Sequence, residues 1–293
     1  MIVDGKKLAG EILAGLKKEI AKLPRRLSVG AVLVGENAAS ESFLKQKDKV
    51  AEILEVNFKI FRFKSGIAIS KLIKEVSKLN RNKNVNGIII QLPLPGHIDT
   101  DLILNVINPK KDIDALSKNP EVLAPTVEAV KFIFQKYKIN YKDKNILIVG
   151  KGRLVGQPIY NWLVSQAPYR KVMIPRKIRK IIIIDIKQKN QLPKLAREAD
   201  IIISGVGKAG LINGNMIRKG LPAGRHGAVL IDFGFSQKDG PPGSGEARKI
   251  SGDFDFESCA KKAKLITPVP GGMGPIMVAM LFSNLIKLNK NPT

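Results

Sequence analysis

Cysteine, histidine and tryptophan are scarce in this sequence, which has one Cys, two His and one Trp in 293 residues. A single cysteine, Cys259, excludes an intramolecular disulfide. With His97 and His226 it supplies too few ligands for a Cys/His zinc site or an iron–sulfur cluster, so we expect no metal requirement. No run approaches the ~18 apolar residues of a membrane span, and Lys6 and Lys7 interrupt the apolar stretch of a secretory signal. We therefore predict a cytoplasmic protein with no membrane partner.

Acidic residues are also few, since 25 Asp and Glu stand against 50 Lys and Arg and the formal net charge is +25. Such an excess attracts polyanions, which include nucleic acids, membrane surfaces and anionic small molecules. The stretch 170–197 is strongly basic, with Asp185 as its one acidic residue. Its Lys and Arg residues are at positions 170, 171, 176, 177, 179, 180, 187, 189, 194 and 197. A nucleic-acid-binding protein is therefore one alternative, although aromatic residues make up 5% of the chain and no nucleic-acid motif is recognisable.

The first half of the chain alternates helical periodicity with short apolar runs. This alternation predicts βαβ units and a parallel sheet. The predicted helices are 6–22, 39–52 and 69–79, and the predicted strands are 28–35 and 56–63. Residues 85–95 are predicted to be a strand that runs into a proline-stiffened loop.

The second half repeats the pattern after a predicted helix at 126–137. A strand that breaks into a glycine-rich turn and then a helix is typical of a dinucleotide-binding domain. The predicted strands are 144–150, 181–187, 199–207 and 228–235, and the predicted helices are 159–165 and 274–289. The predicted fold class is α/β, with two α/β domains, the second a Rossmann-like doubly wound parallel sheet, and a cleft between them.

Domain borders follow from the same pattern. We assign residues 1–125 and 273–293 to the first domain and 126–272 to the second, because the last helix is expected to pack back on the first domain. A length of 293 residues with 44% hydrophobic residues is sufficient for two cores. Three stretches in the second domain are predicted to be surface insertions, namely 166–180, 221–227 and 236–250.

The glycine-rich turn has the spacing Gly150-x-Gly152-x-x-x-Gly156. Glycines between a strand and a helix let backbone N–H groups approach a pyrophosphate, although a turn without a ligand is the plain alternative. Asp185 ends the next strand, where a carboxylate can accept hydrogen bonds from a ribose and repel a 2′-phosphate. Lys187 nearby could hold that phosphate instead, and a solvated Asp185 is the alternative without function.

Further clusters carry groups that chemistry could use. Phe43 and Lys47 lie four residues apart on a predicted helix, so an aromatic ring and an ammonium share one face. Gln91-Leu92-Pro93 ends a predicted strand, and the chain later has Lys111-Asp112-Ile113-Asp114 and a glycine-rich turn over 267–275. Each cluster has a plain alternative, respectively a solvated helix face, a proline-capped strand end, an Asx turn and the turn into the last helix.

Taken in order, these motifs resemble the bifunctional methylenetetrahydrofolate dehydrogenase/cyclohydrolase family. The resemblance rests on Val3-Asp4-Gly5-Lys6 and on the patterns S-x-x-aromatic-x-x-x-K, QLPLP, KDxD, VGxGxxVGxP, ADIxxxxVGxxG and ITPVPGGxGP. It spans nearly the whole chain, and QLPLP with TPVPGG-x-GP is far more specific than the glycine turn. The resemblance implies oxidation of 5,10-methylenetetrahydrofolate with NAD(P)⁺ and hydrolysis of the 5,10-methenyl product to 10-formyltetrahydrofolate in one-carbon metabolism.

The resemblance also implies roles for individual residues. The catalytic group is Lys47, held by Gln91, with Asp114 binding the pterin edge. Substrate-binding residues are Ser40, Phe43, Leu92, Pro93, Pro270, Gly271 and Gly272. Cofactor-binding residues are Gly150, Lys151, Gly152, Val155, Gly156, Pro158, Asp185, Lys187, Val206 and Gly207. The implied partners are tetrahydrofolate derivatives, including those with an extended glutamate tail, and a second copy of the chain in a homodimer formed through the cofactor domain.

Several positions depart from the family pattern. Phe43 stands where the family usually has tyrosine, Ala115 follows the KDxD motif in place of glycine, and Met277 replaces a threonine. Lys151 and the segment Asp185-Ile186-Lys187 replace groups expected to recognise a 2′-phosphate, so we predict that NAD is used at least as well as NADP. The alternatives are a family member with one of the two activities and an oxidoreductase of the shikimate dehydrogenase type, which would not account for QLPLP.

Overall fold

The computed structural model describes residues 1–142, 144–166, 180–218, 227–238 and 249–290. They form two compact units. The first unit is Ala9–Pro125 with Met277–Thr293, and the second is Met1–Leu8 with Thr126–Ile276. Most of each predicted insertion (166–180, 221–227, 236–250) lies outside the described residues.

The described helices and strands follow the predicted alternation. The helices are α1 Gly5–Ile20, α2 Ala38–Ile53, α3 Ile69–Arg81, α4 Thr100–Leu104, α5 Pro125–Lys136, α6 Gly156–Gln166, α7 Leu192–Glu198, α8 Phe256–Ala260 and α9 Met273–Asn289. The strands are β1 Ser28–Val34, β2 Asn57–Phe63, β3 Gly87–Ile90, β4 Ile146–Val149, β5 Ile181–Ile184, β6 Ile201–Ser204, β7 Val229–Asp232, β8 Ser236–Lys238, β9 Lys249–Ser251 and β10 Leu265–Ile266.

The sheet of the first unit has the order β2-β1-β3, and its pairs are parallel. One core contains Leu33 and Leu44 together with Phe282 and Leu285 of α9. A second core, with Val32 and side chains of α3, contains the alternate residues of the same strand, as expected when successive side chains of a strand point to opposite faces. The carboxyl ends of these strands then lead into the loops that carry the first cluster described below.

The sheet of the second unit has the order β10-β7-β6-β4-β5, and its pairs are parallel. Strands β5 and β6 flank β4, so the order reverses at β4, and ligands of doubly wound sheets bind beside such a reversal. This confirms the predicted fold class of two α/β domains with a doubly wound parallel sheet in the second. A short antiparallel pair, β8 with β9, lies outside the main sheet.

The start of the chain packs differently from the prediction. Residues 1–8 belong to the second unit, whereas the sequence placed them in the first domain. The reason is a parallel bridge between Ile2 and Ile266, with the Val3 N–H donating to the Ile266 carbonyl at 2.9 Å. Among the described residues, no helix is long and apolar enough to cross a membrane.

Candidate active site

The ammonium of Lys47 lies among acceptors in the first unit. Lys47 Nζ is 3.3 Å from Gln91 Oε1 and 3.6 Å from Asp114 Oδ2, and the side chain of Lys47 is 12% exposed. Its neighbours Lys45 and Lys49 on α2 are exposed instead. The structure therefore brings together the three residues that the resemblance implied to be catalytic.

The Gln91 loop is fixed around one carbonyl group. Gln91 Nε2 donates to the Leu92 carbonyl at 2.9 Å, and Ser40 Oγ donates to the same carbonyl at 3.3 Å. Because the amide nitrogen of Gln91 is engaged, its Oε1 is the atom turned to Lys47. The Leu92–Pro93 peptide bond is cis, and Phe43 lies half-buried one turn before Lys47 on α2.

Lys111 anchors the loop that carries Asp114. Its ammonium donates to backbone carbonyls at the end of α3, where the helix leaves carbonyls without intrahelical partners. The acceptors are Leu79 (3.3 Å), Asn80 (2.8 Å) and Asn82 (2.8 Å). Burial lowers the pKa of Lys111, and the nearby charge of Arg25 acts in the same direction.

Asp112 shapes the same loop from the inside. Its side chain is buried, its Oδ2 accepts from the Ser117 N–H at 2.7 Å, and burial raises the pKa of its carboxyl. Ala115 has a φ of 55°, a left-handed conformation in which glycine is favoured. This left-handed conformation explains why the family pattern has glycine at the position that Ala115 occupies here.

The glycine turn of the second unit, residues 150–156, brings backbone groups of β4 and α6 close together. Gly150 has a φ of 102°, and a Cβ on Gly156 would lie 1.8 Å from the Gly150 carbonyl oxygen. Gly156 begins α6, so the free N–H groups of the first turn of that helix lie beside the glycine turn. Gly152 faces open space, and Lys151 is exposed. This backbone fits the pyrophosphate of a dinucleotide, which needs close approach to N–H groups.

Asp185 directly follows β5, the strand next to β4. Its carboxylate accepts from the Lys187 N–H at 2.9 Å, and the Gln188 side chain accepts from the Asp185 N–H at 3.1 Å. This reciprocal capping fixes the carboxylate at the carboxyl edge of the sheet, the edge that also carries the glycine turn. The side chain of Lys187 is exposed.

A second loop, Gly205–Lys208, packs directly against the glycine turn. The Gly205 N–H donates to the Val149 carbonyl at 3.0 Å, and a Cβ on Gly205 would lie 2.6 Å from Val155 Cγ1. A Cβ on Gly150 would lie 3.2 Å from Val206 Cγ2. The structure thus joins Val155, Val206 and Gly207 of the predicted cofactor set to the turn, with Pro158 in the first turn of α6.

Two aspartates of this region were missed from sequence. Asp232 ends β7 and Asp253 precedes α8, and both are buried. Asp253 Oδ2 accepts from the Val206 N–H and its Oδ1 from the Lys208 N–H, each at 2.7 Å. Burial, the largest cause, raises the pKa of Asp232 to about 7. Their segments, Asp-Phe-Gly at 232–234 and Gly-Asp-Phe at 252–254, contain the same three residue types, but this composition alone does not indicate burial.

The turn before α9 also lies in the second unit. The Val269–Pro270 peptide bond is cis, and Gly271 has a φ of 96°. A Cβ on Gly5 would lie 1.8 Å from the Gly272 carbonyl oxygen, so the start of α1 packs against this turn. Among the described residues, no group of three or more His, Cys, Asp or Glu is placed to hold a metal ion; the absence of a metal requirement stays a prediction.

Comparison with protein-family models gives two matches. Residues 3–114 match the catalytic domain of tetrahydrofolate dehydrogenase/cyclohydrolase, and residues 124–293 match the NAD(P)-binding domain of the same family. The bifunctional protein FolD of Nautilia profundicola is 35% identical over 99% of this chain and 97% of its own length.

Solved structures give the same picture. The bifunctional FolD of Campylobacter jejuni has a TM-score of 0.85 at 31% identity, over 99% of both chains. The FolD of Trypanosoma brucei, solved with NADP cofactor and an inhibitor, has a TM-score of 0.86 at 26% identity, over 99% of this chain and 97% of its own.

Proposed function

The chain belongs to the tetrahydrofolate dehydrogenase/cyclohydrolase family, and we propose that Lys47 is the proton-transferring group of its cyclohydrolase reaction. The protein is a bifunctional enzyme of one-carbon metabolism. It oxidises 5,10-methylenetetrahydrofolate with a nicotinamide dinucleotide and hydrolyses the methenyl product to 10-formyltetrahydrofolate. The nucleic-acid and shikimate dehydrogenase alternatives are not favoured, because both matched domains belong to one folate family.

The surroundings of the Lys47 ammonium carry this proposal. Hydrolysis adds water to the cationic methenyl carbon, and both protons of that water leave its oxygen as the formyl C=O group forms. One proton is delivered to the ring nitrogen when its bond to carbon breaks, and the other is released. One group that exchanges a proton can serve both events, and general acid–base groups contribute roughly 10²- to 10⁴-fold. Gln91 Oε1 and Asp114 Oδ2 orient the Lys47 ammonium, and the 12% exposure of its side chain limits competition from bulk water.

Asp114 has a second proposed role in binding the substrate. A carboxylate accepts paired hydrogen bonds from the amino-pyrimidine edge of a pterin. Asp114 also lies 3.6 Å from Lys47 Nζ, so a pterin held by this carboxylate would be placed beside the ammonium. Phe43 offers a ring face one turn away on α2, without the hydroxyl of a tyrosine.

The dinucleotide would be held by the second unit. Gly150 and Gly156 provide the backbone cradle, Asp185 would accept hydrogen bonds from the adenosine ribose, and the Val206–Gly207 loop would border the nicotinamide half. When bound, the nicotinamide ring takes up the hydride that the methylene carbon of the substrate gives up. The chain itself supplies binding and orientation.

We further propose that NAD is used at least as well as NADP. The Asp185 carboxylate lies at the carboxyl end of β5, where like charge would oppose a 2′-phosphate. Lys151 and Lys187 are exposed and act in the opposite direction. Comparing kcat/KM for the two nucleotides tests the proposal, and a hundredfold preference for NADP would overturn it. Asp185→Asn is the matched variant, since asparagine still caps the Lys187 N–H while the charge is lost; it should raise kcat/KM for NADP selectively.

A spectroscopic assay of the purified protein tests whether it carries out both reactions. Methenyltetrahydrofolate alone reports hydrolysis, and methylenetetrahydrofolate with NAD⁺ or NADP⁺ reports oxidation. We expect both reactions. Loss of one of them, with the other intact, would favour the alternative of a single-activity family member. The homodimer, the cytoplasmic location and the use of substrates with extended glutamate tails stay predictions.

A further inference from the structure

Two buried aspartates of the second unit are each enclosed by a glycine from the other's segment. A Cβ on Gly234 would lie 2.3 Å from Asp253 Cγ, and a Cβ on Gly252 would lie 2.1 Å from Asp232 Oδ2. Any side chain at either glycine would therefore collide with a carboxyl group. The Asp-Phe-Gly and Gly-Asp-Phe segments pack against each other, and we call the pair the aspartate clasp (232–234 and 252–254).

Asp232 binds backbone N–H groups of both segments of the aspartate clasp. Its Oδ1 accepts from the Gly234 N–H at 2.7 Å and the Asp253 N–H at 3.1 Å, and its Oδ2 accepts from the Phe254 N–H at 3.1 Å. The Asp232 N–H donates to Thr267 Oγ1 at 2.8 Å. Asp232 thus fixes the backbone on both sides of Asp253.

Asp253 in turn holds the loop Val206–Lys208. Its carboxylate accepts from Ser204 Oγ at 2.6 Å and from the Val206 and Lys208 N–H groups at 2.7 Å each. A side chain that accepts from N–H groups two residues apart orients both peptide planes of the loop. Gly207, between them, has a φ of 75°, and its carbonyl accepts from Ser236 Oγ at 2.7 Å.

We infer that Asp253 is a positioning residue for oxidation, because it fixes the loop that borders the nicotinamide half of the dinucleotide. This inference rests on the cofactor site proposed above. In this inference Asp253 acts through the backbone of Val206–Lys208, to which its carboxylate is hydrogen-bonded. Hydrolysis of the methenyl compound needs no nicotinamide, so the second activity of the same molecule serves as an internal reference.

Asp253→Asn tests the inference, since the amide keeps the size of the side chain but offers one acceptor oxygen and adds a donor. Loss of a hydrogen bond to a charged group predicts that kcat/KM for NAD(P)⁺ in oxidation falls about ten- to hundredfold. Hydrolysis should stay within about twofold. By calorimetry, the Kd for NAD(P)⁺ should rise, whereas the Kd for ADP-ribose and its 2′-phosphate, which lack nicotinamide, should not change.

The matched control is Asp255→Asn. Asp255 is two residues away and caps α8 through the Ser258 N–H at 3.3 Å. Within the described part of the chain it forms no hydrogen bond with Val206–Lys208. It should leave the ratio of oxidation to hydrolysis unchanged. The inference is overturned if Asp253→Asn keeps that ratio, whether both activities persist or both fall with thermal stability, because the aspartate would then be only structural.

Ser236→Ala keeps the inference testable if Asp253→Asn does not fold. Ser236 is only partly buried, and its substitution removes the hydrogen bond to the Gly207 carbonyl without disturbing either aspartate. A smaller decrease in oxidation, with hydrolysis unchanged, supports positioning of the nicotinamide through this loop. Unchanged oxidation speaks against it. If the wild-type protein hydrolyses but does not oxidise, the proposed function fails first, and the variants are then compared by NAD(P)⁺ and ADP-ribose binding alone.

Discussion

Lys47 differs from Lys45 and Lys49 in what surrounds it. The three lysines lie on one helix, but Lys47 alone is paired with Gln91 and Asp114, while its two neighbours are exposed. A sequence with many lysines gives no means of choosing among them by composition. The choice comes from the strand end at Gln91 and the loop at Asp114, which meet the same helix face.

Lys47→Met should abolish hydrolysis of methenyltetrahydrofolate, with a loss of roughly 10²- to 10⁴-fold, because methionine fills the space without exchanging a proton. The decay of methenyl absorbance measures it. Lys45→Met is the control on the same helix and should retain the wild-type rate. Full hydrolysis by Lys47→Met would remove this residue from the mechanism.

Asp232 makes the free energy of unfolding depend on pH. Its pKa in the folded protein is raised to about 7 from an ordinary 3.8, chiefly by burial. The folded state therefore binds a proton that the unfolded state releases between these two values. By linkage, the contribution of this group to the free energy of unfolding is greatest below pH 3.8 and is lost as pH rises to about 7.

Asp232→Asn should remove that dependence. We expect the free energy of unfolding of wild type minus that of the variant to decrease between about pH 4 and pH 7, by at most ~1.4 kcal/mol per pH unit. Urea unfolding at several pH values measures the difference, and other titrating groups cancel in the subtraction. A difference independent of pH would show that Asp232 does not take up a proton in the folded protein.

At the scale of the structural elements, the packing of the turn between β4 and α6 requires glycine at position 156 but not at position 152. A Cβ on Gly156 would lie 1.8 Å from a backbone oxygen, whereas a Cβ on Gly152 meets nothing within 4 Å. Gly156→Ala should therefore displace the turn, lower the melting temperature and weaken binding of NAD(P)⁺ by calorimetry. Gly152→Ala should keep the melting temperature of the wild type. Equal melting temperatures for the two variants would contradict the close packing of this turn.

Predicted and observed elements agree in kind and differ at their ends. Over 85–95, where the prediction is a strand that runs into a proline-stiffened loop, β3 covers Gly87–Ile90. Pro93 and Pro95 lie in the loop that follows, since proline has no N–H to donate to a sheet. Helix α6 begins at Gly156, earlier than predicted. Its first residue packs directly against the Gly150 carbonyl oxygen, which leaves room for glycine but not for a Cβ. Three short helices (α4, α7 and α8) and three short strands (β8, β9 and β10) were not predicted.

For the whole molecule, the net charge of +25 has a consequence for anionic substrates. Each glutamate added to a folate tail adds negative charge, and attraction to a cationic protein is screened over ~10 Å at 0.1 M salt. We expect kcat/KM for a pentaglutamate substrate to exceed that for a monoglutamate at about 0.02 M salt, and the ratio to approach one near 0.3 M. A ratio that does not change with salt would mean that the surface charge does not guide this substrate.

The sequence alone determined the two-domain α/β class, the parallel order of elements and the residues of the family motifs, because these depend on local periodicity and on short spacings. The tertiary structure decided which polar groups meet. The contact of Lys47 with Gln91 spans 44 residues, and that of Asp253 with Val206 spans 47. Residues 1–8 joined the second unit for the same reason, through hydrogen bonds to Ile266. Buried carboxylates such as Asp232 and Asp253 are recognisable only once the strand ends that surround them are in place, since burial is a property of the packed chain.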